Sequence, residues 1–183
     1  MRVVDAPVSG GVAGAVSGEL AIMAGGAPED LATAQAVLRV LGSPARQFAT
    51  GGVGTGHAMK ALNNFIAAAT HCATAEALVA GKMFGLDPRT MIDVINASTG
   101  RSFVSGTFSG EILTGRYGTG FMLGLLAKDV HIAASVVAAA GIDAPAVTLA
   151  DERWAKALSE LGPTADHTKA HQAWWPEPLA PDA

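Results

Sequence analysis

A lysine and two asparagines fall within the five residues from Lys60 to Asn64. Lys60 and Asn64 are four residues apart, so on a helix they share one face with their β-carbons roughly 5–6 Å apart. An ammonium and an amide placed in this way can meet at one substrate oxygen. Gly54 and Gly56 come before them, and residues without side chains let a ligand approach the start of the helix closely.

A surface lysine beside two solvated asparagines is the commoner meaning of such a spacing. Here the neighbouring residues favour a functional meaning, because Ala61, Leu62 and Phe65 help to make this helix apolar nearly all round. We therefore expect Lys60 to lie in a cleft or an interface. A lysine that is partly removed from water releases its proton more readily, so it can act as a general acid or base near neutral pH.

A second candidate is the glycine turn that follows the first β-branched run, Pro7-Val8-Ser9-Gly10-Gly11. Its backbone amides and the Ser9 hydroxyl could hold an anion such as a carboxylate. Most turns of this composition only reverse the chain, and the residues alone leave both meanings open. Neither this turn nor the glycines from Gly52 to Gly56 have the G-x-G-x-x-G spacing of a dinucleotide-binding turn.

His167 and His171 are four residues apart and could share a metal ion. Because no third ligand follows nearby in the sequence, we expect no metal site. Cys72 is the single cysteine. It excludes an intrachain disulfide framework and fits a reducing compartment such as the cytoplasm.

Composition argues against several kinds of partner. The 12 lysines and arginines are spread without a run and the net charge is −4, which disfavours nucleic acid. The most apolar stretch, Ile132 to Gly141, is shorter than the roughly 20 residues of a membrane span, so we expect no membrane partner. With half of the residues apolar and only 15% charged, we expect a homodimer or higher homo-oligomer that covers an apolar helix face.

The elements that must position these residues change in kind near residue 53. Before it, β-branched runs predict strands over 2–8, 20–24 and 46–50, and Pro28 opens a helix that Gly42 ends. After it, apolar periodicity predicts only helices, over 56–84 with Gly85 as the left-handed cap, 87–95 with Asp87 as the N-cap, 108–113, 122–140, 146–161 and 166–175, with residues 176–183 as a frayed tail. The predicted fold is an α/β remnant over 1–52 followed by an all-α domain over 53–183.

Three segments occur in an order that resembles the β-hydroxyacid dehydrogenase family, in its 3-hydroxyisobutyrate dehydrogenase and tartronate semialdehyde reductase branch. The first is Asp5-Ala6-Pro7-Val8-Ser9-Gly10-Gly11, and the second is Gly54-x-Gly56-x-x-x-Lys60-x-x-Asn63-Asn64. The third is Phe121 followed by Leu126-Ala127-Lys128-Asp129-Val130. The resemblance implies that the helical part is similar to the C-terminal domain of 6-phosphogluconate dehydrogenase, and that residues 1–52 are the end of a dinucleotide-binding domain.

The resemblance also implies roles for individual residues. Ser9, Gly10 and Gly11 would bind the carboxylate of a small carboxylated alcohol or aldehyde. Lys60 would exchange the proton at the substrate hydroxyl or carbonyl oxygen, and Asn64 would orient that oxygen.

Asn63 would support the substrate-binding face of the same helix. Phe121 and Lys128 would contact the nicotinamide-ribose end of NAD or NADP. The residues that select between the two cofactors, together with the phosphate-binding turn, are expected before residue 1. The resemblance therefore implies an oxidoreductase part that is inactive, with weak or no cofactor binding, until it is joined to its N-terminal half.

Two other functions remain open. The chain could be a dimerisation or binding module that descends from the family and has no redox activity. It could also be an imine or amine reductase of the same superfamily, although those relatives generally lack the lysine at position 60.

Overall fold

The computed structural model describes residues 1–175 and Leu179. The chain forms two compact units, Met1–Asn63 and Asn64–Ala183. The domain boundary expected between residues 52 and 53 stays a prediction. The tail expected to fray, residues 176–183, lies outside the described residues apart from Leu179.

The N-terminal unit is built on a three-stranded sheet in the order β1-β2-β3. Strand β1, Val8–Ser9, pairs antiparallel with β2, Ala21–Gly25, which pairs parallel with β3, Gln47–Gly51. The first strand is much shorter than predicted over 2–8. Asp5 forms only an isolated bridge with Gly25. Pro7 lies between this bridge and β1, and because it has no N–H to donate, it interrupts the hydrogen-bond ladder there.

Two short helices flank this sheet, α1 at Gly11–Ser17 and α2 at Pro28–Leu41. Helix α2 has the predicted bounds, since its proline fits the first helical position and acidic residues occupy its first turn. Helix α1 was not predicted, because its glycines and valines have weak helix propensity. The buried core between sheet and helix consists of Ile22, Ala24 and Leu38.

The Asp5 carboxylate fixes the start of the long helix α3, Thr55–Phe84. Its Oδ1 accepts the Gly54 N–H at 2.6 Å, and its Oδ2 accepts the His57 N–H at 2.9 Å. These are two of the backbone donors that the first turn of a helix leaves unsatisfied. Burial raises the pKa of Asp5, but the hydrogen bonds from Gly54 and His57 outweigh burial and lower it.

Gly56 shows how closely this helix start packs. A β-carbon there would lie 2.3 Å from the Met23 carbonyl oxygen and 2.7 Å from Asp5 Oδ2. No side chain fits in that space, so glycine is required for α3 to approach β2.

The described elements of the C-terminal unit are helices, apart from one isolated bridge between Met122 and Asp166, which confirms the predicted succession of an α/β part and an all-α part. It contains the remainder of α3, then α4 at Pro88–Asn96, α5 at Ser109–Thr114, α6 at Leu123–Ala140, α7 at Pro145–Leu161 and α8 at His171–Trp174. The predicted end of α3 is confirmed by Gly85, which has φ +100°. The predicted cap of α4 is confirmed by Asp87, whose Oδ1 accepts the Thr90 N–H at 2.8 Å.

Two local structures differ from the prediction. A π-helical turn, Val104–Phe108, precedes α5, where Ser102 and Ser105 each accept the other's backbone N–H through a side-chain oxygen. The last predicted helix is divided into a 3-10 turn, His167–Lys169, and α8. Asp166 accepts the Thr168 N–H only two residues ahead, which holds this turn in its tighter form.

The core of this unit lies where α3, α6, α7 and α8 meet. Trp154 and Trp174 are buried edge to face with ring centroids 5.3 Å apart. Their indole N–H groups donate to backbone carbonyls of Ala68 and Arg153 at 3.3 and 2.7 Å. The two tryptophans are therefore packing anchors of this core.

Helix α6 is long and apolar enough to cross a membrane if length and composition alone are considered. It is longer than the most apolar stretch of the sequence, Ile132 to Gly141, with which it overlaps. Leu123, Leu126 and Val130 on its inner face are buried in the core, as in the central helix of many soluble domains. The expectation of no membrane partner stays a prediction.

His71 is buried in this core, and the centroid of its ring lies 5.5 Å from that of Trp154 and 5.8 Å from that of Trp174. Neither ring nitrogen has a hydrogen-bond partner among the described residues. Burial, followed by the neighbouring His167 and His171, lowers the pKa of His71 from 6.5 to about 3. The imidazole is therefore neutral in the folded chain, where it forms part of the core.

We predict that acid destabilises the fold through this residue. Between pH 6.5 and 3 the unfolded chain binds a proton at His71 that the folded chain does not, so the free energy of unfolding falls as the pH falls through this window. In His71→Leu this pH dependence should become shallower, because two unpaired polar atoms and one titration are removed. Urea unfolding at pH 7.5, 6 and 4.5 measures it, with His131→Gln as the exposed control. Parallel curves for wild type and His71→Leu would contradict the prediction.

Candidate functional site

The predicted anion-binding turn connects β1 to α1. Ser9 is half-buried, and Gly10 and Gly11 are exposed. Both glycines have positive φ, +134° and +60°, and a β-carbon at Gly10 would lie 3.3 Å from Leu20 Cδ2. The turn therefore requires glycine at these positions and brings its backbone to the surface.

Lys60 lies in the second turn of α3, three residues after His57. The Asp5 carboxylate accepts the His57 N–H, and its Oδ2 is 3.1 Å from the His57 ring Nδ1. The lysine is half-buried rather than fully exposed. Its helix is thus anchored one turn before the predicted proton-exchanging group.

Asn64 and Lys128 are linked through Asp129. The buried Asn64 donates from Nδ2 to Asp129 Oδ2 at 2.6 Å, and Lys128 Nζ lies 2.8 Å from Asp129 Oδ1. Each carboxylate oxygen thus has its own partner, one an amide and one an ammonium. The charge-assisted contact between Asn64 and Asp129 is short and buried, so it fixes the orientation of the amide.

Asp129 itself was missed as a site residue. The resemblance gives a role to Lys128 and none to Asp129, yet the side chains of these two neighbours are 60% and 10% exposed. Neighbours in a helix point about 100° apart, so one can face water while the other faces inward. Asp129 falls within the apolar stripe of Leu126, Val130 and Ala133, which is the signal that could have identified it.

Phe121 is half-buried and lies two residues before α6. Its carbonyl accepts the His167 N–H at 3.0 Å, and its ring meets the His167 ring at a centroid distance of 5.5 Å. Asn63, also half-buried, is the last residue of the N-terminal unit.

Among residues 1–175 and Leu179, no three His, Cys, Asp or Glu side chains are grouped to hold a metal ion. Burial lowers the pKa of both His167 and His171, and keeps these rings neutral. Burial likewise raises the pKa of the Cys72 thiol to about 12, so this cysteine is a poor nucleophile. The candidate chemistry therefore belongs to the lysine, asparagine and carboxylate groups.

Two family models match consecutive parts of the chain. Residues 54–174 match the NAD-binding domain of NADP-dependent 3-hydroxyisobutyrate dehydrogenase, and residues 1–54 match the NAD-binding domain of 6-phosphogluconate dehydrogenase. The first match covers most of the described helical residues.

Curated relatives are similar over a large share of this chain. Mitochondrial 3-hydroxyisobutyrate dehydrogenase of Bos taurus is 41% identical over 136 residues, which are 70% of this chain and 40% of the relative. The 2-(hydroxymethyl)glutarate dehydrogenase of Eubacterium barkeri is 35% identical over 150 residues, 81% of this chain and 49% of the relative. The chain thus spans about half or less of the length of these relatives.

Solved structures show the same architecture. Mycobacterium tuberculosis 3-hydroxyisobutyrate dehydrogenase with L-serine matches at a TM-score of 0.81 and 31% identity, over 93% of this chain and 60% of that one. Psf3 in complex with NADP+ and 2-OPP matches at 0.76 and 26%, over 94% and 60%. The predicted likeness of the fold to these dehydrogenases is confirmed, and the chain belongs to the β-hydroxyacid dehydrogenase family of NAD(P)-dependent oxidoreductases.

Proposed function

We propose that this chain supplies the substrate-binding and proton-exchanging residues of an NAD(P)-dependent dehydrogenase that acts on a small 3-hydroxy acid or its aldehyde. The observation that carries the proposal is the joining of Asn64 to Lys128 through the buried Asp129. Two segments 64 residues apart in the sequence, each part of a motif shared with the family, thereby meet at one carboxylate. A helix that only packed would have no need of such a buried charge.

The carboxylate of the substrate would bind at Ser9, Gly10 and Gly11. Their positive backbone angles and exposed main chain suit an oxygen ligand that approaches the amides closely. The substrates named by two relatives, 3-hydroxyisobutyrate and 2-(hydroxymethyl)glutarate, both carry a carboxylate and a hydroxymethyl group. This shared chemistry supports a small hydroxy acid as the substrate class.

Lys60 would take or give the proton at the substrate oxygen. Its half-buried position limits competition from water, and an ammonium stabilises the negative charge that develops on that oxygen in the transition state. Asn64 would orient the same oxygen, with its amide held by Asp129. Asn63 would support this face of the helix.

The chemistry of the donor set fits the nicotinamide-ribose end of the cofactor. Lys128 offers an ammonium that is largely exposed although it is paired with Asp129, and Phe121 offers a half-buried aromatic face. When bound, NAD or NADP accepts or supplies the hydride. The chain's own residues position the reactants and move the proton.

We propose further that activity requires the part of the relatives that this chain does not span. The chain covers 40% of the bovine enzyme, and it has no G-x-G-x-x-G turn to bind a pyrophosphate. The second candidate function is a dimerisation or binding module without redox activity. The exposed apolar side chains on α6 favour the dimerisation that this second function requires.

A homodimer in a reducing compartment such as the cytoplasm is our proposal for the state of the protein. Leu125 and Ile132 lie seven residues apart on α6 and are 44% and 38% exposed, so they share one outward stripe. Apolar side chains arranged in this way are commonly covered by a second subunit.

We predict that Lys60 is essential for turnover in a completed enzyme. The N-terminal residues of the Mycobacterium tuberculosis relative, fused ahead of Met1, should give a protein that reduces NAD+ or NADP+ with 3-hydroxyisobutyrate. Lys60→Met should lower its kcat by about 10²- to 10⁴-fold, the usual contribution of a general acid or base. Lys156→Met, on the exposed side of α7, is the matched control.

The chain alone should bind NADPH at least about tenfold more weakly than the fusion, because the N-terminal part of the fusion adds cofactor contacts. A tenfold change in the dissociation constant corresponds to about 1.4 kcal/mol. An unchanged kcat in Lys60→Met would remove this residue from the mechanism. Tight stoichiometric NADPH binding by the chain alone would contradict the proposed need for the N-terminal part, and an inactive fusion that binds NADPH would favour the module.

Asp129 should couple to Asn64 more strongly than to Lys128. Asp129→Ala removes the carboxylate that accepts from the buried Asn64 amide, which costs about 1–3 kcal/mol of unfolding free energy. Lys128→Ala removes only an exposed partner and should cost under about 1 kcal/mol. Double-mutant cycles from urea unfolding measure both couplings. A coupling to Lys128 as large as the coupling to Asn64 would contradict the prediction, because the exposed ion pair would then hold the carboxylate as firmly as the buried amide does.

The apolar stripe on α6 should mediate dimerisation. Sedimentation equilibrium should give twice the chain mass of 18.4 kDa, and the double variant Leu125→Asp with Ile132→Asp should give the monomer mass because charges oppose burial. Val40→Asp, an exposed valine on α2, serves as control. A dimer that survives the double variant would place the interface elsewhere.

A further inference from the structure

The segment that carries Phe121 into α6 has an unusual backbone. Tyr117 has φ +51°, which is rare for a residue with a side chain, and Gly120 has φ +76°. Between them, the Gly118 N–H donates to Glu111 Oε2 at 3.0 Å. A segment with two left-handed residues does not hold this path by local preference, so tertiary contacts must fix it.

The Asp166 carboxylate supplies the main contact of this kind. It accepts the Thr119 hydroxyl at 2.8 and 3.0 Å and the Gly120 N–H at 2.9 Å. The same carboxylate accepts the Thr168 N–H at 3.0 Å and the Thr168 hydroxyl at 2.5 Å. One side chain thus connects the Phe121 segment with the 3-10 turn that follows Asp166.

The electrostatics favour an ionised carboxylate in this position. Burial raises the pKa of Asp166, but hydrogen bonds from Thr168, Thr119 and Gly120 outweigh burial and lower it. An ionised carboxylate accepts at both oxygens, which is what these donors require.

Backbone pairing continues the contact along the chain. The His167 N–H donates to the Phe121 carbonyl at 3.0 Å, and the Leu123 N–H donates to the Ala165 carbonyl at 2.8 Å. The Gly124 N–H donates to the Pro163 carbonyl at 3.0 Å. Residues 121–124 therefore pair antiparallel with residues 163–167. Phe121 lies at one end of this pairing, and the first turn of α6 lies at the other.

We propose that Asp166, acting through Thr119, is a positioning residue that holds Phe121 in its cofactor-contacting place before the cofactor binds. The cofactor-contacting role of Phe121 rests on the proposed function, whereas the holding of the segment rests on the hydrogen bonds alone. A segment ordered in advance loses no conformational freedom on binding, so the affinity for cofactor is higher than for a segment that must order.

Thr119 offers the sharper variant, because Asp166 also caps the 3-10 turn and its replacement would disturb that turn directly. Thr119→Val keeps the shape of the side chain and removes only the hydroxyl. Thr119→Ser keeps the hydroxyl and serves as the rescue. Thr114→Val removes an exposed threonine hydroxyl that donates to Gly110 within α5, and it serves as the control for a lost hydroxyl.

Amide hydrogen exchange of the full chain, followed by mass spectrometry, tests the holding of the segment. In Thr119→Val we expect peptides that cover residues 119–124 to exchange about tenfold faster, while peptides from α3 and α7 keep the wild-type rate. Thr119→Ser and Thr114→Val should match wild type. Unchanged exchange over 119–124 in Thr119→Val, or an equal acceleration over the whole chain, would overturn the proposal.

Titration of the N-terminal fusion described above with NADPH, with each Thr119 variant placed in that fusion, tests the consequence for binding. The dissociation constant should rise about five- to tenfold in Thr119→Val and recover in Thr119→Ser, as expected where ordering must accompany binding. Faster exchange over 119–124 without a change in NADPH affinity would keep the holding role and remove the cofactor role of Phe121. If the fusion that carries the wild-type sequence shows no NADPH binding at any usable concentration, the proposed function fails, and the exchange comparison on the chain still decides whether Asp166 holds the segment.

Discussion

The hydrogen bonds of the Asp5 carboxylate are the constraint on which the arrangement of the N-terminal unit depends. They attach the segment that leads to Ser9 to the start of the helix that carries Lys60. The attachment works only at close range, because Gly25 and Gly56 leave no space for a β-carbon beside this carboxylate. The glycines, the buried Asp5 carboxylate and the two N–H groups at the helix start must therefore occur together. Replacing any one of them would remove the conditions under which the others make this contact.

The helical unit uses the same physical device at Asp129 and Asp166. Each carboxylate has hydrogen-bond or ion-pair partners in two separate parts of the chain. These contacts are directional, whereas an aliphatic side chain would pack there without fixing the orientation of its neighbours. Carboxylates withdrawn from water are costly unless several donors surround them. A chain with only 15% charged residues thus concentrates some of its acids where segments must be held together.

Local signals were sufficient for the elements that depend on local chemistry. Pro28 and Asp87 mark helix starts and Gly85 marks a helix end, and the structure has all three where the sequence placed them. Helix α1, the π-helical turn and the divided last helix were not predicted, because tertiary contacts override weak propensity there. The roles of Ser9 to Gly11 and of Lys60 rest on resemblance to the family, since spacing alone also fits a plain turn and a surface lysine.

Asp129 shows why a site can be only partly visible in a sequence. Its contact with Asn64 depends on two helices meeting, which no spacing within either helix reveals. The place of Phe121 is equally non-local, because its ring meets His167, and His167 in turn meets His71 at 6.1 Å beside the buried tryptophans. The neutral imidazole of His71 therefore packs against His167, whose ring also contacts Phe121. A buried histidine without hydrogen-bond partners then has a reason in packing: it fills the space behind His167 with a flat ring that also fits edge-on against Trp154.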